Sequence, residues 1–285
     1  MVSMLSALSL PIAASALAAV ACGCAGAICT VRRSTYVAGA VAHSCFAGIG
    51  LARLLACTLG WAWATPTLGA LVSALAAGLF LALSPGARGA DSDGALSQVW
   101  AVGMALGLAF MALTPGYQSD LATWLFGSVL FVGPGDIATM AAFDAVLLVL
   151  VAAFRRGMLS VSLDERLATL RGEPVALWNV AICVSTAMAV VLLVHVTGIV
   201  LAVAMMALPA AAARPLARSL GGMMATGAAI AFFAMLCGLL ASWWLDMPPS
   251  APTILFALAA RYATAPAARR RAGGPSARGP EARAW

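Results

Sequence analysis

The chain has 285 residues, 63% of them hydrophobic and 9% charged, with a mean hydropathy of +1.00 and a formal net charge of +6. That balance excludes a water-soluble globular domain. Apolar runs of about 20 residues, enough to cross a hydrocarbon core of about 30 Å, recur along it, so the composition predicts a polytopic helical membrane protein.

Taken in order, the first apolar run covers residues 5–31. Ala-x-Ala triplets occur near its start, but Met1 to Leu10 carry no positive side chain and the run continues to Val31, so cleavage as a signal peptide is not expected. Arg32-Arg33 marks a membrane edge, and the second span, 36–57, holds His43 at a depth where an imidazole is costly unless it faces a cavity, a partner or an ion. Without a partner, a hydrogen bond to a neighbouring backbone carbonyl is the plainer role for that ring. Further spans are expected at 66–84, 95–114 and 137–154, then at 175–196, 198–213, 222–245 and 252–264, nine crossings in all. Residues 121–132 form an apolar stretch too short to cross, which reads as a re-entrant or interfacial helix. The domain reading is a transmembrane unit over 1–265 and an Arg-rich, Gly- and Pro-containing disordered tail over 266–285.

All 16 basic residues are arginine, and the positive-inside rule places nearly all of them on the cytoplasmic side when the N-terminus is outside; Arg53 falls outside. Lacking lysine, the chain offers no Walker A loop, so any ATP that drives it must bind a separate subunit. The seven cysteines nearly all fall inside apolar runs and read as packing residues. The cytoplasmic connection 155–174 stands out for length and charge: Ser162, with Glu165 three residues on, resembles a capping box for a short amphipathic helix. A solvated connector explains its charges as well; a docking surface for a motor subunit needs such a helix.

Several ordered motifs carry a resemblance. Arg32-Arg33-Ser34-Thr35-Tyr36 leads into Val41-Ala42-His43; Leu125-Phe126-Gly127 precedes Gly133-Pro134-Gly135-Asp136; Ala168 and Gly172 lie four apart in the cytoplasmic connection. A span from Gly198 ends in Pro209-Ala210-Ala211-Ala212-Ala213-Arg214, and Asp246-Met247-Pro248 precedes the last span. In order and spacing this resembles the membrane permeases of zinc, manganese and iron ABC importers, over roughly residues 18–262. The resemblance implies an all-α, type II-like ABC import permease. It implies a homodimer passing the ion along its interface, cytoplasmic ATP-binding subunits docked around Asp164, Glu165, Arg166, Ala168 and Gly172, and an extracytoplasmic metal-binding receptor, in a cell (inner) membrane. No permanent cofactor is implied, only a transported Zn²⁺ or Mn²⁺.

The chain departs from the family where an Asp is common four residues before the histidine, on the same helix face; here that position is Gly39. One imidazole alone holds a divalent cation weakly. Another carboxylate completes the site, or the site serves transient passage only, or the cargo is something other than a simple divalent ion. Asp144, mid-span, is the first substitute, with a carboxyl held neutral or bonded in the bundle as the alternative; His195, at the external end of a span, is the second. The His43 of a second copy is a third. Asp120, Asp136 and Asp246 are expected outside, attracting cations or contacting the receptor, or serving as loop residues and helix caps. Two other classes are weaker. An intramembrane enzyme lacks His-Glu-x-x-His and Gly-x-Ser-x-Gly, and a self-contained secondary transporter of a small metabolite predicts an internal repeat that is not evident.

Overall fold

The computed structural model describes residues 2–84, 92–115, 127, 129 and 132–266. Asp120, Leu125, Phe126, most of the 121–132 stretch and the tail from 267 onward lie outside the described residues. The regular structure among the described residues is helical. In order come α1 (Val2–Val31), α2 (Thr35–Leu59), α3 (Pro66–Leu83), α4 (Ser92–Leu113), α5 (Pro134–Leu163), α6 (Glu165–Leu170), α7 (Val175–Ala213), α8 (Leu220–Leu245) and α9 (Ser250–Ala263). Seven of these are long and apolar enough to cross a membrane, and the chain is a multi-pass membrane protein.

Helix α7 holds the bundle together, and it does so folded in two. Gly198 sits at φ 77°, ψ 168°, a conformation essentially reserved for glycine, in the middle of its 39 residues. Contacts with α1 show the consequence. Cys29 Sγ lies 3.4 Å from Thr186 Oγ1, while a Cβ on Gly26, one turn away, would stand 2.6 Å from the Met206 carbonyl oxygen and 3.3 Å from Ala210 Cβ. In a straight helix Thr186 and Ala210 are about 36 Å apart. Both touch one turn of α1 because the chain reverses at Gly198, so the arms are the two separate spans expected at 175–196 and 198–213. Around this hairpin pack α1, α2, α3, α5, α8 and α9. Largely enclosed, α7 is apolar on every side.

Small residues set the closeness of packing, as expected where lipid and helix are equally apolar. Gly48 of α2 and Gly69 of α3 each lie against the other's carbonyl, and a Cβ on Gly23 would stand 2.5 Å from the Met224 carbonyl oxygen of α8. Gly127, the glycine of the Leu-Phe-Gly motif, has φ +69° and rests on the Thr197–Gly198 backbone at the tip of the hairpin.

Three expectations need adjustment. Helix α5 does not end at 154 but runs on to Leu163, so Arg155, Arg156, Ser160 and Ser162 are helical; nothing from 155 to 163 breaks a helix until Asp164 turns to φ −155°. The cap of α6 is Asp164, whose Oδ1 accepts from Leu167 N at 3.0 Å, and Ser162 donates instead to the Met158 carbonyl within α5. Helix α9 has 14 residues, about 21 Å of rise, which is short of a full crossing.

Candidate functional site

His43 faces α4. Its Nδ1 lies 2.8 Å from the Gly39 carbonyl oxygen, and since a carbonyl only accepts, Nδ1 carries the proton. Nε2 is left with its lone pair, the state in which imidazole binds a metal. The ring stacks on Trp100, with centroids 4.3 Å apart and planes inclined by 28°. Gly103 permits that contact, because a Cβ there would stand 2.8 Å from the Ser44 Cα and 2.9 Å from the His43 carbonyl. At Gly39 a Cβ would meet Trp100 Cζ3 at 3.7 Å and Val203 Cγ1 at 3.8 Å, ordinary contact distances. Trp100 also walls a cleft of about 330 Å³ together with Tyr36, Asp93, Leu96 and Ser97. Asp93 and Trp100 did not stand out in the sequence. Their seven-residue spacing, two turns on one helix face, is the signal that would have linked them.

Asp144 lies elsewhere. It is buried in α5, and neither carboxylate oxygen has a hydrogen-bond partner among the described residues. His195 lies at the hairpin tip, where its Nε2 is 3.0 Å from Asp136 Oδ1 and its Nδ1 is 3.3 Å from Thr67 Oγ1. The carboxylate only accepts, so Nε2 donates to it, and the Thr67 hydroxyl serves Nδ1. With both nitrogens engaged, His195 as placed ties α3, α5 and α7 together and has no lone pair to offer a cation. Asp136 also accepts from Gly133 N at 2.9 Å, which caps α5. The structure thus brings His195 to Asp136 but does not gather His43, Asp144 and His195 in one copy. Among the described residues no group of three His, Cys, Asp or Glu is placed to hold a metal. Asp246 ends α8 in the left-handed conformation, at φ 51°, ψ 47°.

At the Arg-rich end, α6 is fastened from below and bare above. Glu165 Oε1 accepts from Asn179 Nδ2 at 3.2 Å, its Oε2 lies 4.0 Å from Arg32 Nη2, and Glu173 Oε1 accepts from Ser160 Oγ at 2.8 Å. Ala168 is buried against the bundle, whereas Arg166, Leu167 and Leu170 are exposed, Leu170 by 84%. Gly172, at φ +72°, turns the chain back into α7.

Comparison with known proteins adds four observations. The profile of the ABC-3 family, described as the ABC 3 transport family, matches residues 4–265. A probable metal transport system membrane protein of Chlamydia pneumoniae is 30% identical over 249 residues, covering 86% of this chain and 83% of its own. The manganese import system permease protein ScaB of Streptococcus gordonii is 24% identical over 236 residues, 83% of this chain and 82% of its own. Among solved structures, PsaBC from Streptococcus pneumoniae in complex with Fab matches with a TM-score of 0.80 at 24% identity, covering 92% of this chain and 93% of that one. That last likeness concerns the fold.

Proposed function

The chain belongs to the ABC 3 transport family, and from that premise we propose how it handles its cargo. At the coarser level it is the membrane permease of a metal ABC transporter and not an enzyme. The ion proposed is a divalent transition metal, manganese or zinc, with the name of the streptococcal relative favouring manganese. The permease works as a homodimer in a cell (inner) membrane, driven by separate cytoplasmic ATP-binding subunits and supplied by an extracytoplasmic metal-binding receptor.

The observation that supports this reading most is the free Nε2 of His43 beside a cleft containing Asp93. One imidazole is a weak site, and weak is serviceable in a path, because an ion held too tightly does not leave. The two copies of His43 together hold the ion briefly, and Asp93 draws it onward as the cleft opens. Asp144 is a second polar station in the bundle; Asp136 and Asp246 lie at the entry end. Coupling runs through α6. The exposed Arg166, Leu167 and Leu170 meet the ATPase, while Glu165, Ala168 and Gly172 pass its movement to α7.

Reconstitution in proteoliposomes tests this. With an ATPase partner and ATP, the parent takes up Mn²⁺ or Zn²⁺, and His43→Ala reduces uptake to background while the protein still assembles. Uptake by the permease alone, without ATPase, would instead favour a secondary transporter. Parental uptake by His43→Ala would remove the histidine from the path.

A further inference from the structure

A second site lies away from the ion path, on the flank formed by α1, α5 and α8. There a groove of about 730 Å³ is lined along α5 by Leu148, Val151, Ala152, Arg155, Arg156 and Leu159, with Cys24 from α1 and Leu220, Gly221 and Met224 from α8. All three helices are long and apolar enough to cross the membrane. The lining spans about 16 Å of α5. We propose that this groove binds an anionic glycerophospholipid from the leaflet at the Arg-rich end.

The charge pattern selects that occupant. The apolar portion, Leu148, Val151 and Met224, suits an acyl chain. The mouth carries two adjacent guanidinium groups, and neither Arg155 nor Arg156 is paired with an acid among the described residues. At the same end α8 begins. Ser219 caps Gly222 N at 3.1 Å, but the amides of Leu220 and Gly221 precede any carbonyl that could receive them within the helix. Gly221 has no side chain above its amide, and a Cβ there would meet nothing within 4 Å. Two arginines and a helix N-terminus form a receptor for a phosphate group, and basic pockets between membrane helices at this depth hold anionic headgroups. A zwitterionic lipid brings no net charge to match. Free phosphate would fill the mouth and leave the apolar floor bare.

Native mass spectrometry of the purified full chain tests the proposal, with phosphatidylglycerol and phosphatidylcholine as competing probes. The parent retains phosphatidylglycerol preferentially. The double variant R155Q/R156Q lowers that retention about thirtyfold, taking roughly 1 kcal/mol per arginine. R155K/R156K keeps most of it, and R33Q, at an arginine that does not line the groove, leaves it unchanged. Leu148→Trp, which narrows the apolar part of the groove, weakens retention without changing charge. Size-exclusion elution and thermal unfolding show that each variant is folded. Equal retention by R155Q/R156Q and the parent overturns the site. Displacement of the lipid by excess phosphate at constant ionic strength overturns it in favour of a free-phosphate site, and photo-crosslinking from position 148 to a second copy overturns it in favour of a protein contact.

Discussion

At His43 one carbonyl decides the chemistry. By engaging Nδ1, Gly39 fixes the tautomer and leaves Nε2 with its lone pair, the arrangement that second-shell partners commonly impose at metal sites. The same residue lacks the carboxylate that would strengthen the site. A Cβ at Gly39 fits at ordinary contact distance against Trp100 and Val203. Gly39→Asp is expected to fold and to tighten Mn²⁺ binding by at least roughly tenfold, the lower end of what an outer-shell partner contributes; isothermal titration with the purified permease measures it, and unchanged affinity would separate His43 from the ion. The histidine was legible from its motif and its depth. Asp93 was not, because its relation to His43 runs through the ring of Trp100 on another helix. Nor was the pairing of His195 with Asp136, 59 residues apart, which only folding brings together.

Among the elements, Gly198 and Asp164 are where single atoms govern whole helices. Any side chain at φ 77°, ψ 168° is strained, so Gly198→Ala costs about 1–3 kcal/mol. A lowered midpoint in thermal unfolding, with α7 still inserted, is the expected result. Asp164→Ala removes the cap of α6 and costs that helix about 1 kcal/mol. Its measurable effect is weaker co-purification of the ATPase, while Ser162→Ala leaves association at the parental level because Ser162 bonds within α5. The two arms of α7 were legible as separate spans, since Gly198 interrupts an otherwise uniform apolar run. The length of α5 was not, because Arg155 and Arg156 look like a membrane edge whether or not the helix continues beyond them. The closeness of α2 and α3 at Gly48 and Gly69 was hidden by the abundance of small residues.

For the molecule as a whole, sidedness follows from contacts as well as from charge. Arg32 and Glu165 approach each other at one end, and Thr67, Asp136 and His195 meet at the other. In a background with the exposed Cys57 and Cys237 changed to Ser, Leu170→Cys is modified by an impermeant thiol reagent only from the Arg-rich side, and Met247→Cys only from the opposite side. Modification of both from one side would break the topology.

The central position of α7 also bears on how the protein is made. Helices α2, α3 and α4 pack on one another and have partners as soon as they are synthesised. Helix α1 packs chiefly on α5, α7 and α8, all of which leave the ribosome later. Its buried face, with Ser15, Cys22 and Cys29, must wait in lipid until the hairpin arrives. A chain truncated before Val175 keeps α5 but lacks α7 and α8, so most of that face stays unpartnered and the truncated chain is expected to be less stable in the membrane.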